Sequence, residues 1–194
     1  MSEERGGLKI LGFADAEALE AWLGAQPEDS AGMWLKLAKK GSGIASVSRS
    51  EAIDAALCHG WIDGQLNPYD AQSWLIRFTP RRARSKWSQV NRKRAEALIA
   101  EGRMRAVGRS QVDAAKADGR WDAAYAPQSS AEPPADLQAA LDANPRAAAF
   151  FATLKGANRY AILYRVGDAK RPETRARRIA AFVEMLARGE TLHG

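Results

Sequence analysis

The sequence predicts an α+β protein: a small N-terminal sheet with helices, followed by an all-helical C-terminal lobe. Three observations carry that prediction. Residues 33–38 and 73–79 alternate with the period of two that marks a strand. Residues 126–134, Ala-Pro-Gln-Ser-Ser-Ala-Glu-Pro-Pro, hold three of the eight prolines and read as a linker. Beyond them the apolar spacing is purely helical, and all six tryptophans lie before them, between residues 22 and 121. The expected division is an α+β domain over 1–125, a linker over 126–134 and a helical lobe over 135–194.

Leu-Lys-Ile-Leu at 8–11 reads as a short strand. Asp15 suits an N-cap, with Leu19, Trp22 and Leu23 at helical spacing behind it and Pro27 beyond the end. In 33–38, Met33, Leu35 and Leu37 share one face. Ser48 and Glu51 form a capping box for a helix that Gly60 closes. Trp61-Ile62-Asp63 reads as a brief strand before Gly64. In 73–79, Trp74, Ile76 and Phe78 share the face expected to pack inward, and Pro80 ends the strand. Ser88 caps a helix to about Ala100, and a polar helix is expected near 109–118. The helical lobe reads as 135–143, 145–154, 157–166 and 172–188. Pro145 and Pro172 suit first turns, Gly156 and Gly189 suit C-terminal stops, and Ile179, Phe182, Val183 and Leu186 form the last helix's apolar stripe.

A single cysteine, Cys58, rules out a disulfide within the chain and points to a reducing, cytoplasmic setting. The opening Met-Ser-Glu-Glu-Arg-Gly-Gly lacks an apolar signal core and no apolar run reaches 18 residues, so neither secretion nor a membrane span is expected. Cys58 and His59 are adjacent on a helix, about 100° apart, and so do not face each other as a nucleophile and its base. His193, next to the C-terminal residue, sits where chains fray. One cysteine and two histidines cannot build a structural zinc site without carboxylates, so no metal is expected. Gly41-Ser42-Gly43 lacks a third glycine and no Walker pattern occurs, so no nucleotide cofactor is expected either.

The charge is uneven. Residues 71–95 contain no Asp or Glu and eight basic side chains: Arg77, Arg81, Arg82, Arg84, Lys86, Arg92, Lys93 and Arg94. Against a formal net charge of +6, that segment leaves −2 for the rest. It places a basic loop between a strand end and a helix N-terminus, where cations are unfavourable unless an anion or acidic side chain answers them. Asp63, Asp70 and Glu101 are candidate internal partners; a small anionic ligand is the alternative. Arg171, Arg175, Arg177 and Arg178 crowd the start of the last helix and ask for acidic residues of the first lobe or a share in the anion site.

Cys58-His59-Gly60-Trp61-Ile62-Asp63-Gly64, Phe78-Thr79-Pro80-Arg81, Lys86-Trp87-Ser88 with Asn91, and Gly102-Arg103-Met104 resemble the YdeI/OmpD-associated family. The tail from Ala169 to Ile179 is similar to that family's bacteriocin-protection segment, and the resemblance covers roughly residues 10–190. It implies an association with bacterial tolerance of bacteriocins and cationic antimicrobial peptides and with an outer-membrane porin. It carries over no reaction, cofactor or catalytic residue. The residues it points to are Trp61, Asp63, Thr79, Arg81, Trp87, Ser88 and Asn91, joined by Arg84 of the basic loop. They converge if the strand at 61–63 lies beside that at 73–79.

Two readings of that cluster stay open: a pocket for a small polar or anionic ligand, and a buried Asp63–Arg81 pair with the tryptophans as packing. Three function classes follow. The first is a stress or defence protein that binds a small anionic ligand or a partner protein. The second is an enzyme with Asp63 as acid or base and Arg81 holding an anionic substrate. The third is non-specific nucleic-acid association through residues 77–94, disfavoured because those charges are spread over a strand, a loop and all sides of a helix.

Overall fold

The computed structural model describes residues 3–193, so Met1 and Ser2 of the opening segment, and Gly194, lie outside the described residues. The chain divides into two compact units, Met1–Ala124 and Tyr125–Gly194.

The first unit runs β1 (Glu4–Arg5), β2 (Leu8–Gly12), α1 (Ala16–Gly24), β3 (Met33–Ala38), α2 (Arg49–Cys58), β4 (Trp61–Pro68), β5 (Ser73–Pro80), α3 (Gln89–Ala100) and α4 (Ala106–Ala117). Its five strands form one sheet in the order β1-β2-β3-β5-β4. β2 and β3 are parallel, joined through α1, and the other pairs are antiparallel. Met33, Leu35, Leu37, Ile76 and Phe78 are buried in one cluster with residues of all four helices, such as Leu19, Leu57, Leu98 and Val112. The opposite face carries only a small cluster of Leu8, Trp34 and Leu75. Leu75 is nonetheless fully buried, covered on that face by Leu8 and Trp34 with the partly buried Ile10 and Tyr69.

The caps are local and form as the sequence implies. Asp15 accepts from the Ala18 N–H, and Ser48 and Glu51 close a reciprocal capping box. Gly60 follows α2 with φ +74°, the left-handed geometry that ends helices. Three elements differ from expectation: β1 is not anticipated, and β4 and α4 have other bounds. β4 has eight residues, because a register irregularity between Asp63 and Leu66 absorbs the Gly64 break and pairing with β5 resumes. α4 starts at Ala106, three residues before the expected 109.

In the second unit the described regular elements are α5 (Ala135–Asp142), α6 (Pro145–Thr153), α7 (Gly156–Gly167) and α8 (Pro172–Ala187). Residues 126–134 carry neither helix nor strand. Leu137, Leu141, Phe151, Ile162, Val166, Ile179, Phe182 and Leu186 form the core. Gly156, expected to stop α6, instead opens α7 at φ +56°. The acidic partner of Arg175 comes from α5 of the same unit, not from the first lobe: Nε and Nη2 donate to Asp136 at 2.5 and 2.7 Å. His193 does not hang free; its backbone exchanges hydrogen bonds of 2.8 and 3.0 Å with the Asn158 amide.

Candidate functional site

The basic loop joins β5 to α3. At its start Arg81 is 6% exposed, and its guanidinium carbon lies 3.7 Å from the centroid of the Trp87 ring. Arg81 Nη1 donates to the Lys86 carbonyl at 3.2 Å, and the Arg81 N–H donates to Gly60 O at 2.8 Å. Trp87, 2% exposed, meets Trp121 edge-on with centroids 4.9 Å apart. Its indole N–H is buried and finds no acceptor among the described residues. Between these anchors the Arg82 N–H donates to Ser85 Oγ at 2.9 Å, and Arg120 Nη1 donates to the Ser85 carbonyl at 3.0 Å. Arg82 and Arg84 are exposed, and among the described residues neither guanidinium has an ion-pair partner.

The loop ends at α3. Ser88 is the N-cap, accepting from the Asn91 N–H at 3.1 Å, and the first turn has no acidic residue. The side chain of Asn91 turns back and donates to Asp63 Oδ1 at 3.4 Å. The other carboxylate oxygen of Asp63 lies 3.8 Å from Arg49 Nη2, at the first position of α2. Asp63, with its side chain 20% exposed, thus stands where two helices begin and its charge answers both positive ends. The cation beside it is Arg49, which the sequence reading did not include; the rest of α2 and the start of β4 separate them and no motif links them.

The register of β4 against β5 divides the expected cluster. Trp61 opposes Pro80, Ile62 opposes Thr79 and Asp63 opposes Phe78. Trp61 and Asp63 therefore share the helix-covered face of Phe78, while Thr79 points to the other face. A Cβ built on Gly32 would meet Thr79 Cγ2 at 2.7 Å, so the threonine packs against that glycine. Trp61 is core, 4% exposed and edge-on to Trp22 at 5.7 Å. Of the eight residues, Asp63, Ser88 and Asn91 meet at the α3 N-terminus, Arg81 and Trp87 stack beside it, and Arg84 stands free at the loop tip.

The cations of α3 have acidic neighbours other than those expected. Arg94 Nε donates to Asp54 at 2.8 Å and also binds Ser50, and Arg92 lies within 4.0 Å of Glu96 and Asp122. Arg92 and Arg94 are thus answered, while Arg82 and Arg84 of the loop, Arg77 on β5 and Lys93 on α3 stay exposed.

Cys58 and His59 do not form a reactive pair. Burial, then the Glu20 charge, pushes the Cys58 thiol up to about 11, so it is not a thiolate at neutral pH. Burial also lowers the His59 pKa, and its Nε2 has no partner among the described residues. No group of three His, Cys, Asp or Glu suited to a metal occurs among the described residues. No helix among them is long and apolar enough to cross a membrane.

These features define an α+β sheet unit with a rigidly held basic loop, joined to a helical unit. Residues 11–111, just over half the chain, match the model of a domain of unknown function (DUF8412), and the chain belongs to that family. Residues 130–189 match the model described as Bacteriocin-protection, YdeI or OmpD-Associated, so the second unit carries the domain that the tail resembles. No curated protein matches, and no solved structure matches.

Proposed function

We propose that this is a stress- or defence-associated protein of the YdeI/OmpD-associated type that acts by binding a small anionic ligand at the loop Arg81–Trp87. One observation carries the reading. The loop is fixed at both ends by buried contacts, yet holds Arg82 and Arg84 in solvent. A flexible solvated loop has no need of a buried arginine–tryptophan stack. In this reading Arg82 and Arg84 contact the anion and Arg81 and Trp87 hold the loop. Ser88, Asn91 and Asp63 frame its base, while Trp61 is core and Thr79 faces the other side of the sheet.

Two rivals gain less support. The enzyme reading needs a poised acid or base, and Asp63 is engaged by Asn91 and Arg49 at the ends of two helices. The nucleic-acid reading needs a continuous basic face, and two of α3's three cations, Arg92 and Arg94, are answered by Asp54, Glu96 and Asp122. Protection by direct capture of cationic peptides runs against a net charge of +6.

A thermal-shift series tests the proposal with inorganic phosphate, pyrophosphate and citrate at constant ionic strength. A ligand at about 100 times its Kd adds about 2.7 kcal/mol of stability, a shift of several degrees. The proposal expects pyrophosphate to raise Tm in the wild type and not in Arg82→Gln/Arg84→Gln. Equal shifts in both proteins sink it.

A further inference from the structure

The second unit carries an apolar groove between α5 and α8. It encloses about 580 Å³ and shares no residue with the basic loop. Ile179 and Val183 of α8 and Ala140 of α5 line its depth. Ala176 and Ala180 lie on its open edge, where both are exposed. The ion pair of Asp136 with Arg175 stands at one end and the exposed Glu184 lies two turns along α8 from it.

The order of charges along that edge says what fits it. On a helix of 3.6 residues per turn, Arg177, Ala180 and Glu184 stack within about 60° of arc, and all three are exposed. Two neighbouring arginines are already answered within the unit: Arg175 by Asp136, and Arg178 by the Arg165 carbonyl. Arg177 and Glu184 have no ion pair among the described residues. Arg188, one turn beyond Glu184, is taken by Glu190. Arg177 and Glu184 lie too far apart along one helix to meet each other. Two copies of α8 laid antiparallel bring them together. A two-fold axis between Ala180 and Ala181 sets Arg177 of each copy opposite Glu184 of the other. The same arrangement places each helix's positive end beside the other's negative end, and the alanines let the two backbones approach closely. A parallel pairing would bring like charges level.

We infer that this face is a self-complementary contact with a second copy of the chain. The Ala176–Ala180 edge of each α8 seats in the groove of the other copy, flanked by two Arg177–Glu184 ion pairs. The 16 residues of α8 span about 24 Å, so the contact is smaller than a standard interface of about 1,600 Å² and the dimer is weak, with Kd in the tens of micromolar as an order of magnitude.

Sedimentation equilibrium of the full chain, from about 5 to 500 µM at about 0.1 M salt, tests this. The inference expects a monomer–dimer equilibrium in the wild type. Ala180→Glu abolishes it with Tm retained, because the position is exposed in a helix and glutamate is a good helix former. Arg177→Glu and Glu184→Arg each weaken the dimer about ten-fold or more, since two attractions become two repulsions. An equimolar mixture of those two variants recovers the wild-type affinity, because every glutamate then faces an arginine across the axis. A wild type that stays monomeric at the highest concentration overturns the inference. So does a dimer that Ala180→Glu leaves intact, or a mixture that associates no more than its two components.

Discussion

The guanidinium of Arg81 lies face-on to the indole of Trp87, 3.7 Å from its ring centroid, and both side chains are buried. A buried cation–π contact contributes about 2 kcal/mol, and lysine cannot reproduce the planar stack. Arg81→Lys keeps the charge and is expected to lower unfolding free energy by about 2 kcal/mol in urea titrations. Arg84→Lys, on the exposed tip, stays within about 0.5 kcal/mol. Equal effects of the two substitutions would show that the stack does not hold the loop.

Gly108 lies inside α4, where helix propensity favours alanine over glycine by about 1 kcal/mol. Packing opposes that. A Cβ at Gly108 would stand 2.4 Å from the Cys58 carbonyl oxygen and 2.5 Å from that of Leu57, both backbone atoms at the end of α2. Gly108→Ala is therefore expected to destabilise by about 2 kcal/mol as α4 is pushed off α2. Gly167→Ala, at the end of α7 with open space around it, is expected to be neutral or stabilising. Calorimetric Tm values for the two variants should move in opposite directions or differ by several degrees.

His59 makes stability depend on pH. Burial and the Arg105 charge lower its pKa, while Glu20 opposes them and desolvation is the largest effect. The native state thus binds this proton less readily than the unfolded chain. The contribution is complete above the unfolded value of 6.5 and is lost as pH falls from there through the depressed native value. The slope is limited to about 1.4 kcal/mol per pH unit for one group. Urea midpoints between about pH 7.5 and pH 5.5 should fall for the wild type and fall less for His59→Gln. Parallel profiles would exclude His59 as the cause.

Local signals were legible in the sequence, and non-local ones were not. The caps at Asp15, Ser48 and Ser88 act within three residues of themselves, so their residue types suffice. The alternation of Met33, Leu35 and Leu37 names a buried face because that face is covered continuously. β4 is longer than the sequence implies because Gly64 looks like a breaker, and pairing with β5 resumes beyond it. The parallel pairing of β2 with β3 depends on where α1 returns the chain, which no local pattern encodes. At the site, the loop's charge and its place before α3 were plain. The meeting of Asp63 with Arg49 was hidden, since it joins a strand to the start of a helix through space. Thr79 is grouped with Asp63 by the family resemblance and the expected pairing of their strands, and the pleat sends them to opposite faces.

Arginine side-chain NMR reads the proposed ligand site most directly. Pyrophosphate is titrated into the wild type at about 150 mM salt, where the Debye length of about 8 Å suppresses diffuse attraction. The Nε–Hε signals of Arg82 and Arg84 are followed, with exposed Arg77 on β5 as internal control. Anion binding at the loop predicts that Arg82 and Arg84 shift together and saturate at one Kd while Arg77 stays still. Unmoved Arg82 and Arg84 signals, or equal unsaturated drift of all three, would contradict it.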